Sequence, residues 1–272
     1  MGTPGGVTLR ALRESRRRSQ LWVEAEAELG TGYLQRLESG RVVQPGSATL
    51  ERILVALGAR YDERREILAR FGYAATTPLP TADDLAQARA ECQHELDAVA
   101  FPAYVLDCAH RLVAWNRSFP RLLGVGPGDP LLGRLAGRSL LAPWFDPASP
   151  LAPLVAEPDR LLPALIRACR FEGRRFGGEP WYAPMVLDPL LALPRFRHHW
   201  ELVAREPEAA GAGRALVPLL LDLPRVGRLQ FRLAAEPFGR DARFRTIYYF
   251  PADPPSMRRC ADWAEQSVVG SP

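Results

Sequence analysis

Leu50, Ile53, Leu54 and Leu57 recur at i, i+3, i+4 and i+7, which lines one stripe of a helix that Gly58 then stops. Similar spacing predicts further helices around it. Leu9 and Leu12 open an apolar stripe that gives way to Arg13, Arg16, Arg17 and Arg18. Ser19 stands where an N-cap belongs, just ahead of Val23 and Ala27. Gly30-Thr31-Gly32 interrupts that run, Leu34 and Leu37 resume it, and Gly40 sits where a glycine ends a helix. Glu63 to Phe71, with Ile67 and Leu68 inward, predicts a fifth helix.

Thr76-Thr77-Pro78-Leu79-Pro80-Thr81 is uncharged and broken by proline, as a linker would be. Asp83 and Asp84 then open a helix running to about Val99. Beyond it the period changes. Ala103–Asp107 and Arg111–Trp115 are β-prone runs joined by Cys108-Ala109-His110, which predicts a hairpin. Residues 117–205 read as helical pieces broken by Pro and Gly. Leu229, Phe231 and Leu233 alternate with Arg228, Gln230 and Arg232, a strand with one buried face. Ala215–Leu221, turned by Pro224-Arg225-Val226-Gly227, is its hairpin partner, and Phe244–Phe250 is a third strand nearby. Two strands, a helical insert and three more strands suit a small antiparallel sheet with helices packed on it.

Composition narrows the class. At 272 residues and about 150 per domain, two domains are expected. Hydrophobic residues at 47% and charged residues at 24% are ordinary globular usage, which argues against wholesale disorder. The longest uncharged stretch, Phe71 to Ala82, is far short of the about 20 apolar residues of a membrane span. Met1 to Leu9 has no apolar core, so no signal peptide and a cytoplasmic location are expected. Cys92, Cys108, Cys169 and Cys260 are widely spaced, with no CxxC, which points to buried thiols and to neither a zinc site nor a redox dithiol. Every basic residue is Arg. Residues 1–75 carry 12 of them against 9 acids, a modest excess that points to a polyanion partner.

The run Ser19-Gln20 … Val23 … Ala27 … Tyr33-Leu34-Gln35-Arg36-Leu37-Glu38-Ser39-Gly40 resembles the helix-turn-helix of XRE-type (Cro/lambda-repressor-like) DNA-binding domains, over residues 6–72. The resemblance implies a second helix over about Gln20–Glu28 and a recognition helix over about Thr31–Ser39. It implies that Gln20 contacts backbone phosphate, that Thr31, Gly32 and Arg36 face the bases, and that Tyr33, Gln35 and Arg41 lie near the backbone. A helix fits the major groove, where an arginine can read guanine bidentately, while phosphate contacts only set register. Two residues depart from the family: Glu24 replaces its small residue inside the second helix, and Glu28 its turn glycine. Glu28 must therefore tolerate or avoid a left-handed conformation. Trp22 replaces a charged surface residue and either packs under a neighbouring loop or touches the second domain or another subunit.

Phe101-Pro102-Ala103-Tyr104-Val105-Leu106-Asp107, then Leu112-Val113-Ala114-Trp115-Asn116-Arg117, resembles the opening of MmyB-like ligand-binding domains. Arg195-Phe196 … Trp200 and Tyr248-Tyr249-Phe250-Pro251-Ala252-Asp253 extend the likeness to residues 84–255. It implies a PAS-like fold and a fatty acid or acyl chain as ligand, with no other cofactor. Tyr104, Trp115, Trp144, Trp181, Trp200, Phe231 and Tyr248 are candidates to line the pocket, with Tyr104, Asn116 and Arg117 able to hold a carboxylate. Asn116 reads first as a cap or turn residue and only second as a ligand contact.

No G-x-S-x-G, GxxxxGK[ST] or H-E-x-x-H occurs, so no enzyme is expected. The fold class expected is α+β: an all-α five-helix helix-turn-helix domain (1–75), a linker (76–82), a PAS-like antiparallel sheet with packed helices (83–260) and a C-terminal tail (261–272). The expected protein is a DNA-binding regulator, a homodimer on double-stranded DNA with no membrane insertion. Two alternatives stand beside it: an interaction module that no longer binds DNA, and a haem or flavin protein with His110 as axial ligand.

Overall fold

The computed structural model describes residues 3–74, 76–126, 128–205, 216–224 and 226–268. They form two compact units, residues 1–77 and 78–272. The architecture is α+β, a helical unit followed by a sheet with helices.

Five helices make the first unit: α1 (Pro4–Ser15), α2 (Gln20–Glu26), α3 (Tyr33–Glu38), α4 (Ser47–Ala56) and α5 (Tyr61–Arg70). Local chemistry sets their starts. The Gly6 amide donates to Thr3 Oγ1 at 3.1 Å, and the Trp22 amide to Ser19 Oγ at 3.1 Å. Leu9, Val23, Leu34, Leu37, Leu50, Ile53 and Leu54 are fully buried in one cluster. Each such side chain contributes roughly 1.5–3 kcal/mol by leaving water. At Gly6 an added Cβ would meet the Leu37 carbonyl oxygen at 2.5 Å, so only glycine lets α1 lie this close to α3.

The second unit starts with α6 (Ala82–Ala98), boxed by Thr81 and Asp84. Then come β1 (Ala103–Asp107), β2 (Leu112–Trp115), α7 (Phe119–Leu122), α8 (Pro130–Leu135), α9 (Ala142–Phe145) and a 3-10 turn at Ala152–Leu154. The long α10 (Pro158–Phe176) leads through a π-helical turn (Ala183–Leu187) to α11 (Asp188–Leu191) and α12 (Pro194–Ala204). The chain closes with β3 (Val217–Leu223), β4 (Gly227–Pro237), β5 (Phe244–Pro251) and α13 (Pro254–Val268).

The sheet is antiparallel throughout, in the order β2-β1-β5-β4-β3. Strand alternation splits its side chains. Tyr104, Leu106, Leu221, Phe231, Ile247 and Tyr249 join one buried cluster, and Ala103, Val105, Val113 and Phe244 join another with Ala88, Cys92 and Leu96 of α6. A third cluster gathers α9 to α12 around Phe145, Ile166 and Phe196.

The hairpin partner of β4 runs Val217–Leu223, two residues later than expected at either end; Ala215, and Arg225 of the expected turn, lie outside the described residues. The expected tail is corrected. Residues 261–268 continue α13, where Cys260 and Trp263, three positions apart on one helix side, are buried in the first sheet cluster. Residues 269–272 lie outside the described residues. Among the described residues no helix is long and apolar enough to cross a membrane.

Candidate functional site

The first candidate site is the turn between α2 and α3 with the outer side of α3. Leu34 and Leu37 anchor α3 in the core, which leaves Gln35 and Arg36 exposed, together with Thr31 and Arg41 at its two ends. Gly32 and Tyr33 are half-buried, and the Arg36 guanidinium lies 6.0 Å from the Tyr33 ring centre. Both helices are shorter than expected because left-handed residues bound the turn, Glu28 at φ +52° and Gly32 at φ +77°. Glu28 thus does adopt the conformation that a glycine would take more easily.

Beneath the turn lies a network of buried charge. Glu24 accepts from the amides of Gly32 (3.0 Å) and Leu34 (2.8 Å), filling the capping role that Gly32 has no side chain to play. Arg13 grips Glu38 bidentately, Nε to Oε1 at 2.7 Å and Nη2 to Oε2 at 2.9 Å, and donates Nη1 to the Arg18 carbonyl. Gln20 donates Nε2 to Glu38 Oε2 at 2.8 Å, so this half of its amide points inward. Trp22 packs half-buried on the helical core beneath the Arg18 guanidinium, 4.1 Å from the ring centre.

The second candidate site is a cavity of about 10 Å³ on the first face of the sheet. Of the candidate pocket residues, Tyr104 and Trp144 line it, with Phe119, Leu122, Leu123, Leu140, Leu151, Leu154, Leu221 and Tyr249. The Tyr104 and Tyr249 hydroxyls lie 3.4 Å apart, and burial holds both phenols above their ordinary range. Phe231 stands edge-on to Tyr249, their centres 5.8 Å apart, and belongs to the core behind the cavity.

Several expected ligand contacts lie elsewhere. Asn116 is 2% exposed and fully committed: Oδ1 accepts from the Ala103 and Phe119 amides, and Nδ2 donates to the Val99 and Phe101 carbonyls. It ties the end of β2 to the start of β1. Arg117 is exposed, and Trp115 packs at the rim of the same core without lining the cavity. Trp181 and Trp200 belong to the α9–α12 cluster, where Trp200 stacks on Phe196 at 5.6 Å under Arg170. Tyr248 lies on the opposite sheet face, its ring in contact with those of Phe101 and Phe250, and Tyr249 takes its place at the cavity. Strand parity carries that signal, because β4 sets Leu233 opposite Tyr249 on the face that also holds Phe231. His110 does not reach the cavity; its ring lies between Arg245 and Glu172.

The family model for the MmyB-like transcription regulator ligand binding domain matches residues 88–262, and a helix-turn-helix domain model matches residues 6–67. No curated protein matches the chain. Among solved structures, it is similar to one described as the structure of an RNA-binding light-oxygen-voltage receptor, at 12% identity and a TM-score of 0.28. That match covers 97% of this chain and 63% of the other, less than two thirds of its length, and a likeness so slight bears on neither fold nor function.

Proposed function

The chain belongs to the family of MmyB-like transcription regulator ligand-binding domains, preceded by a helix-turn-helix domain, and on that premise we propose that its ligand is a fatty acid or other acyl chain. The coarser function comes with the family: the protein is a ligand-regulated, DNA-binding transcription regulator. The cavity lining supports the finer reading. Eight Leu, Phe and Trp side chains surround two tyrosine hydroxyls, a lining suited to a hydrocarbon and unsuited to a nucleotide or sugar.

At about 10 Å³ the space holds no more than a water molecule, so an acyl chain enters only if the elements that line it move apart. Each methylene then buried contributes about 0.8 kcal/mol toward the opened state. Binding that favours one of two states shifts their populations, which is the coupling a regulator needs. On the DNA side the reading is a homodimer on an inverted repeat, with Arg36 of each recognition helix reading a base edge.

The test is solvent extraction and native mass spectrometry of the purified full chain, with thermal shift against saturated fatty acids of ten to eighteen carbons. A shift in the presence of acid, and a changed affinity for a selected operator, are expected. No extracted lipid together with no thermal shift defeats the acyl reading. A monomer on the operator in sedimentation defeats the dimer.

A further inference from the structure

Away from the cavity, the same sheet face carries a buried polar cluster. Arg245, the second residue of β5, stands opposite Leu106 and shares its strand parity with Ile247 and Tyr249. Its Nη1 donates to the Asp107 carbonyl at 2.9 Å, and its Nη2 lies 2.6 Å from His110 Nδ1. Glu172 reaches in from α10, with Oε2 2.8 Å from Arg245 Nη2 and 3.6 Å from His110 Nε2.

The hydrogen-bonding roles are set by elementary chemistry. A guanidinium only donates, so Nδ1 accepts and the neutral ring carries its proton on Nε2. Burial and the neighbouring guanidinium push the His110 imidazole well below its usual value, which keeps the ring neutral. Nε2 is enclosed and has no acceptor, and Glu172 Oε2, although within ion-pair distance of Arg245, makes no hydrogen bond. Leaving such groups unmatched costs stability, because each has given up water without gaining a partner. His110 is moreover held at φ +60°, a conformation uncommon for a residue with a side chain. A guanidinium and an N–H thus converge where a carboxylate sits badly seated on its tether.

We infer that Arg245 and His110 form the subsite for a ligand carboxylate, and that Glu172 occupies it as a stand-in until the ligand displaces it. This rests on the acyl-ligand reading above and supplies the cation that the cavity lining lacks. Arg117 is exposed and Asn116 is fully bonded, while Arg243, the buried arginine just before β5, is held by Asp84 and Asp241. At about 3.3 Å per residue, Arg245 and Tyr249 are about 13 Å apart along β5, a span that a medium-chain acyl group covers. Glu172 is partly exposed, so its outward swing opens the subsite from the α10 side.

The test is calorimetric titration of the full chain with decanoate and with 1-decanol, which share a tail and differ in the head group. Wild type is expected to prefer decanoate by about tenfold or more, the worth of a charge-assisted pair. Arg245→Gln should abolish that preference while leaving decanol binding within about twofold. Glu172→Gln, which removes the competing charge, should tighten decanoate several-fold and leave decanol unmoved. A preference that survives Arg245→Gln overturns the subsite. Should Arg245→Gln fail to fold, Glu172→Gln decides alone, and decanoate binding no tighter than wild type overturns it. Equal binding of both probes to wild type overturns the subsite and leaves the acyl reading standing; binding of neither overturns the subsite, and the acyl reading is then decided by extraction and the longer acids.

Discussion

Glu24 caps Gly32: its Oε2 takes the Gly32 amide at 3.0 Å while its Oε1 takes that of Leu34 at 2.8 Å. The six-residue α3 is too short to persist alone, and a carboxylate at its N-terminus satisfies two orphan donors and complements the helix dipole. Glu24→Ala should destabilise the helical unit by about 1–3 kcal/mol and weaken DNA binding through a loosened recognition helix. Urea unfolding followed by circular dichroism is the check. An unchanged first transition rules this role out.

The Arg13–Glu38 pair invites a different experiment. Both side chains are buried, and Glu38 also holds Gln20. Removing one partner strands a buried charge, so Arg13→Met or Glu38→Gln alone should cost about 3–5 kcal/mol. The double variant Arg13→Met with Glu38→Leu should cost less than the two singles together, because neither charge is left behind. A cycle in which the losses simply add would show that the pair is not coupled.

Arg36 is exposed on α3, so its loss should leave stability alone and act on readout. Arg36→Ala is expected to lose about 1–3 kcal/mol of discrimination at one base pair of a selected operator. Gln20→Ala should instead weaken all DNA sequences alike, with a small stability loss from the missing bond to Glu38. Competition binding with selected and scrambled operators separates the two, and an Arg36→Ala protein that still prefers its operator is inconsistent with the recognition-helix assignment.

The helices of the first unit are legible because their apolar spacing is strict: Leu9, Val23, Leu34, Leu37, Leu50 and Ile53 all lie in one core. The strands are equally plain where side chains alternate, as in Leu229, Phe231 and Leu233. What composition hides is parity and partnership. Tyr248 and Tyr249 are chemically alike, and only the pairing of β5 with β4 decides which one faces the cavity. Asn116 resembles a head-group ligand in sequence because a free amide and a committed one have the same letter. Its four backbone partners come from segments 3 to 17 residues away, a convergence no local pattern reveals. The same holds for Glu24, a misplaced acid in sequence until the turn brings Gly32 and Leu34 to it. Trp263 reads as part of a tail because α13 is mostly polar around it, and only its packing on the sheet shows why it is there.

His110 gives a pH dependence with a definite sign. Its folded value lies well below the ordinary imidazole value, chiefly through burial and secondarily through Arg245. Between the folded and unfolded values the unfolded chain binds more protons than the native one, so stability rises with pH across that window. The contribution is therefore complete above about pH 6.5 and is lost as the pH falls from there through the lower folded value. Glu172, raised by burial, acts oppositely, since its native carboxyl binds more protons than its unfolded one just above the usual carboxylate range. The two are separated by comparing wild type with His110→Asn, a residue that tolerates the left-handed conformation and does not titrate. Wild type should lose melting temperature faster than His110→Asn between pH 7 and about pH 5, with Glu172 common to both proteins. Parallel melting curves across that range would mean that His110 takes up its proton as readily in the folded protein as in the unfolded chain.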